Sequence, residues 1–180
     1  AKDAKIQVEL NPSEVSASRL IGYANRSLRS EDFNEDKTDA GERGAGHTVT
    51  ALYEVVPAGP EMKLPGVAPL KYQKTSTMPT TAGELLTIKL RYKEPDGDSS
   101  KLMAVVVKDG DSEFENASKD FRFASAVAAF GMLLRDSPNK GRATYEDVIQ
   151  LARSAMDHDE QGYRSEFINL VRHAKDMARM

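Results

Sequence analysis

A chain of 180 residues suits one domain, or one domain with a helical appendage, and buries roughly two thirds of its unfolded surface without help from a metal or a disulfide. A net charge of −3, with basic and acidic residues interspersed, excludes the basic stripe of a general nucleic-acid or membrane-surface binder. The absence of cysteine excludes thiol catalysis, disulfides and thiolate metal sites.

No signal peptide is visible, because AKDAKIQVELNP begins directly in alternating strand sequence. The missing initiator Met suggests a processed or excised segment. Residues 5 to 10 read as a strand with Ile6, Val8 and Leu10 committed to a core. That strand should pair with a neighbour despite its place at the chain start, since an unpaired one would fray. Val15 to Tyr23 forms a second strand broken by Gly22, with a short helix at Ser16 to Leu20 as the alternative. RSLRSEDFNEDKTDAGERGAG, residues 26 to 46, is polar, glycine-bearing and aperiodic, and reads as a long loop.

HTVTALYEVV, residues 47 to 56, is rich in β-branched and aromatic residues and carries apolar side chains on both alternations, as a central strand does. Pro57 closes it. Residues 57 to 80 hold five of the eight prolines and contain one short edge strand, Leu70 to Thr75. So long a stretch reads as a functional loop or a disordered insert, and it should be the most mobile internal segment. Glu84 to Lys93 alternates Leu86, Ile88, Leu90 and Tyr92 against Thr87, Lys89 and Arg91. The turn EPDGDSS joins it to KLMAVVVK, residues 101 to 108, as a hairpin.

FRFASAVAAFGMLL, residues 121 to 134, is interrupted only by Arg122 and Ser125. Ala, Leu and Met favour a helix, and Asn116 and Ser118 offer N-cap oxygens. Apolarity on nearly every face predicts a helix buried between two layers, with Phe121, Val127, Phe130 and Leu134 all enclosed. It is too short to span a bilayer, which takes about 20 apolar residues. Thr144 and Asp147 resemble a capping box that starts a helix ending near Met156. A last helix from about Gln161 to Met177 carries the stripe Tyr163, Phe167, Leu170, Val171, Ala174 and Met177.

Strands followed by helices give the α+β class, an antiparallel sheet or sandwich-like β half followed by a three-helix C-terminal half. The expected organisation is a single α+β domain over 1–180, mainly β over 1–115 and mainly α over 116–180.

Chemistry is sparse. Asp32, Asn34, Asp36 and Asp39 alternate closely enough to suggest a calcium loop, with Glu42 following. Counted from Asp32, the sixth position is Lys37 rather than Gly and the twelfth is Arg43 rather than Glu. A solvated acidic loop that ignores calcium is therefore expected, and these four residues stay the only metal alternative. Gly44-Ala45-Gly46-His47 precedes a strand, whereas a phosphate cradle needs a helix N-terminus. His47, His158 and His173 have neither nucleophile partners nor metal-ligand spacing and read as surface or packing residues. Asp157, Asp159 and Glu160 form a charged turn placed to cap the last helix. No catalytic residue and no cofactor is assigned.

Four segments together resemble one family: AKDAKIQVELNP, SRLIGYANRSLRSEDFNEDKTDAGERGAGHTVTALYEVVP, LLTIKLRYKEPDGDSSK and FRFASAVAAFGMLLRDS. They are similar to the C-terminal region of YfbK-type bacterial von Willebrand factor A domain-containing proteins. The resemblance implies a preceding A domain and an envelope-directed, often lipoprotein-like whole, and it supplies no catalytic residues to carry over to this C-terminal module. The A domain's DxSxS metal motif is absent from this chain. The expected role is a non-enzymatic accessory or protein-interaction module in the envelope or periplasm, partnered by the adjacent A domain and by another envelope protein. The strand at the chain start would place that A domain close against the sheet through a short linker, which suits a bracing role. A small-ligand or cation-binding domain, using the acidic loop 31–42 or a sheet–helix cleft, is the alternative. No nucleic-acid partner and no transmembrane segment are expected.

Overall fold

The computed structural model describes residues 1–22, 33, 48–58, 83–110 and 113–178. The chain is α+β: antiparallel strands come first and three helices follow. It forms two compact units, Ala1–Gly110 and Asp111–Met180, dividing slightly ahead of the expected change at residue 115.

In the first unit, β1 (Lys2–Leu10), β4 (Glu84–Lys93) and β5 (Ser100–Lys108) form one antiparallel sheet in the order β1-β4-β5. The β4–β5 hairpin turns through Pro95 and Gly97, where Gly97 N–H donates to Glu94 O at 3.0 Å. Register runs Ile6↔Leu90↔Met103, Val8↔Ile88↔Val105 and Leu10↔Leu86↔Val107. β2 (Val15–Ile21) and β3 (Leu52–Pro57) make a separate two-stranded sheet. The strand reading of the second segment therefore holds over its helical alternative. Gly22, at φ 126°, ends that strand in a conformation that side chains disfavour. Asn11 ties the first sheet to the second through its own backbone and side chain. Its N–H donates to Leu85 O at 2.8 Å, its Nδ2 to Glu84 O at 2.7 Å, and its carbonyl accepts from Val15 N at 2.9 Å.

Two expectations for this unit are corrected. The strand read over residues 47 to 56 covers only Leu52–Pro57 among the described residues, and there it pairs with β2 alone rather than lying centrally. Thr48 to Thr50 are exposed and lie outside the strand, so β-propensity alone did not extend it. In β1 the residue most enclosed is Lys5, while Ile6 is 56% exposed, so Ile6 is not a core residue. The segments 26–32, 34–46 and 59–80, which include the acidic loop and the Leu70 to Thr75 strand, lie outside the described residues, as does His47.

In the second unit, α1 (Lys119–Leu134), α2 (Tyr145–Ser154) and α3 (Tyr163–Met177) follow a short 3-10 turn at Phe114–Asn116. Ser118 caps α1, its Oγ accepting from Phe121 N–H at 3.1 Å. The capping box of α2 is complete: Thr144 Oγ1 accepts from Asp147 N–H at 3.2 Å, and Asp147 Oδ2 accepts from Thr144 N–H at 2.9 Å. The core joins Ala126 and Phe130 of α1, Val148, Ile149 and Ala152 of α2, and Ile168, Val171 and Ala174 of α3. Phe130 meets Phe167 edge-on at 5.6 Å and Tyr145 at 6.3 Å.

Here too the sequence misleads in two places. Of the four α1 residues expected to be enclosed, only Phe130 is; Phe121 is 47% and Leu134 57% exposed, and Val127 is exposed as well. Within the unit α1 packs on one side, against α2 and α3, and Phe121, Val127 and Leu134 lie on the uncovered side. On α3 the stripe is rotated. Tyr163, Leu170 and Met177 are exposed, and Ile168, unmarked by the sequence pattern, is buried beside Val171 and Ala174.

Candidate functional site

Strand alternation and register together decide what each face of the three-stranded sheet presents. On one face stand Ile6, Val8 and Leu10 from β1, Leu86, Ile88 and Leu90 from β4, and Met103, Val105 and Val107 from β5. All nine are apolar, and the face is partly open: Ile6, Ile88, Met103 and Val105 are exposed, Val105 by 51%, while Val8, Leu10, Leu86, Leu90 and Val107 are half-buried. Contiguous apolar surface of this kind marks an interaction site in a soluble protein.

The opposite face is the polar one across β1 and β4. It carries Lys5, Gln7 and Glu9 beside Arg91, Lys89 and Thr87. Lys89 Nζ donates to Glu9 Oε2 at 2.6 Å, and Arg91 donates to Ser100 Oγ at 2.6 Å. One corner of this face is covered, for Phe33 is buried and its ring lies 5.9 Å from the Arg91 guanidinium. The sheet thus encloses charge at the Lys5–Arg91 corner and leaves four side chains of its apolar face exposed. That inversion of the usual arrangement is the most informative feature of the unit.

The titratable groups elsewhere have structural explanations. Asp159 Oδ1 accepts from Arg164 N–H at 3.1 Å, and Oδ2 accepts from Ser165 N–H at 2.9 Å. The Ser165 bond above all holds the Asp159 carboxyl below its ordinary pKa. Asp147 is lowered by its capping partner Thr144. Asp157 is lowered by the backbone of His158 and then by Lys119. Glu94 and Lys101, paired at 2.7 Å, shift each other apart, Glu94 downward and Lys101 upward. Caps and exposed pairs of this kind contribute local order and no convergent chemistry.

His158 and His173 are exposed, and His173 lies on α3 while His158 lies in the turn before it. Among the described residues no group of three or more His, Asp or Glu side chains is placed to hold a metal. The four acidic-loop residues Asp32, Asn34, Asp36 and Asp39 lie outside the described residues. Two shallow clefts lie among the described residues. One of about 400 Å³ is lined by Thr144, Tyr145, Glu146, Lys175 and Ala178, and the Lys175–Glu146 ion pair crosses it. The other, about 170 Å³, lies along Leu10, Pro12, Glu84 and Leu86. Neither brings together pKa-shifted groups in the way a reaction centre does.

Sequence reasoning missed two things here. It assigned Ile6, Val8 and Leu10 to a core and so did not see the apolar face as a surface. The alternation that marks an apolar face is the same whether that face is covered or bare. It also missed Arg164, which clasps the helical unit. Arg164 donates to Ala155 O at 2.8 Å at the end of α2, pairs with Asp120 of α1, and lies 4.9 Å over the Phe123 ring.

Among the described residues no helix is long and apolar enough to cross a membrane. Residues 1–177 match the family described as "Uncharacterized protein YfbK, C-terminal". The chain is 38% identical over 171 residues to "Uncharacterized protein YfbK" of Escherichia coli (strain K12), which covers 95% of this chain and 29% of that protein. The chain therefore spans less than a third of the length of the curated relative it matches. No solved structure matches. By a match across nearly its whole length, the chain belongs to the YfbK C-terminal family.

Proposed function

We propose that this chain is a non-enzymatic protein-interaction module that braces an A domain within a larger bacterial envelope protein. The single observation that carries the reading is the open apolar face of the three-stranded sheet, with Ile88 at its centre. The four exposed side chains of this face, Ile6, Ile88, Met103 and Val105, give up favourable transfer free energy for as long as they face water, so a partner surface that covers them gains by their burial. The A domain and the envelope setting come from the family resemblance. The non-enzymatic part rests on the sequence, which has no cysteine and three dispersed histidines.

The test uses the A domain of the full-length protein, made separately and titrated with this chain by calorimetry. Association with a negative heat-capacity change is expected, since burial of apolar surface carries that sign. Ile88→Lys and Ile6→Lys should each weaken it at least about tenfold while circular dichroism stays unchanged. Absence of association, or association indifferent to both substitutions, refutes the proposal.

A further inference from the structure

The two edges of the three-stranded sheet are unlike. β1 is blunted in the ways natural sheets use against edge-to-edge pairing. Its register shifts between Lys2 and Lys5, Asp3 sits at φ 53°, and the Lys5 side chain is buried. β5, the other edge among the described residues, lacks the positive φ and the buried lysine, and its register shifts only at its end, between Val107 and Lys108. It runs nine residues without proline, its register to β4 is unbroken from Ser100 to Val107, and Leu102 through Val107 are apolar without interruption. Leu102 and Val106 are exposed on one face, Met103 and Val105 on the other. Such an edge offers its outward N–H and C=O groups to another strand.

From this contrast we infer that two copies of the chain pair antiparallel along β5, joining two three-stranded sheets into one of six. The occupant follows from parity and charge. Facing residues of an antiparallel pair lie on the same side. A twofold axis passing through a residue therefore joins the two apolar faces, whereas an axis between residues would join an apolar face to a polar one. With the axis through Val105, Val105 faces its own copy, Met103 faces Val107 and Ala104 faces Val106. At both ends Lys101, which also pairs with Glu94 of its own hairpin, then faces Asp109 just past the end of β5, opposite charges across the strands. An axis through Ala104 would instead set Lys101 against Val107 and lose that complementarity. Leu102 lies opposite Lys108, whose aliphatic stem covers it. The strand is self-complementary in this register, and this makes a second copy the fitting partner. The inference rests on the β5 edge rather than on the face centred on Ile88, although Val105 belongs to both, so its test is self-association of this chain and not binding of the A domain.

Sedimentation velocity on the full 180-residue chain, from about 1 to about 200 μM, should show a monomer–dimer equilibrium. Val105→Lys and Val105→Glu each place like charges opposite one another on the axis, and each should weaken the dimer roughly tenfold or more. An equimolar mixture of the two variants should restore it, since Lys then faces Glu. Circular dichroism checks that each variant folds. Amide exchange on the unsubstituted chain supplies a readout free of any variant, as the amides of Leu102 to Lys108 should exchange more slowly at the higher concentration. A chain that stays monomeric throughout overturns the inference. So does a dimer whose β5 amides gain no protection, or one that both substitutions leave intact without loss of fold.

Discussion

Phe130 and Phe121 share α1 and differ in what surrounds them. Phe130 is 5% exposed and lies between the rings of Tyr145 and Phe167. Phe121 is half in water, and its ring contact is Phe114, tilted at 6.0 Å. Truncating Phe130 to Ala removes a fully packed ring from the middle of the helical core and should cost about 3–5 kcal/mol in urea unfolding. Phe121→Ala should cost about 1 kcal/mol or less, because a half-exposed ring loses little transfer free energy and leaves no cavity. Equal costs at the two positions would show that the outer face of α1 is enclosed after all. The sequence cannot separate these residues, since a run apolar on every side is compatible with one covered face or two. Only the number of neighbours decides, and that is a tertiary property.

At the scale of elements, what was legible is what local chemistry fixes. The β4–β5 hairpin follows from alternation flanking a Pro–Gly turn, and the starts of α1 and α2 follow from Ser118 and from Thr144 with Asp147. The burial side of α3 was less legible. Its apolar arc is wider than the part its neighbours cover, so Tyr163, Leu170 and Met177 were as eligible as Ile168. The candidate site was legible residue by residue as an alternation on β1 and β4, and illegible as a surface. The cap of α3 is a separate case. Gly162, at φ 73°, occupies the N-cap position and has no side chain to offer. Asp159 reaches forward instead and accepts from the backbones of Arg164 and Ser165. Because these bonds favour the ionised carboxyl, its folded pKa lies below its unfolded one. The stabilisation is therefore present above the unfolded carboxylate pKa and disappears as pH falls through the folded value. Asp159→Ala should lower the melting temperature at pH 7, and the gap from the unsubstituted chain should close as the solution is taken below the ordinary carboxylate range. A gap that is constant with pH would mean that Asp159 acts through packing rather than charge.

For the whole molecule, the decisive contrast is between a helical unit with its own packed core and a β unit in which few of the described residues are buried. The buried core cluster lies entirely on α1, α2 and α3. The buried residues of the β unit among those described are Lys5, Val15 and Phe33. With so small a core, the three-stranded sheet depends on its ladders and on the cross-strand pairs of β1. These include Lys93 with Asp3 at 2.8 Å, both largely shielded, and Lys89 with Glu9 at 2.6 Å. Removing residues 1–10 takes away β1 and strands β4 and β5 as a lone hairpin, which is marginally stable at best in water. Thermal melting followed at two wavelengths should then separate the units. The β contribution should melt at a markedly lower temperature in the truncated chain, and the helical signal near 222 nm should persist, since no residue of the helical core has been touched. Equal melting temperatures for the two chains would show that β1 contributes nothing to the sheet. The apolar face would then lose Ile6, Val8 and Leu10 as structural members, and with them the basis for reading it as a preformed docking surface.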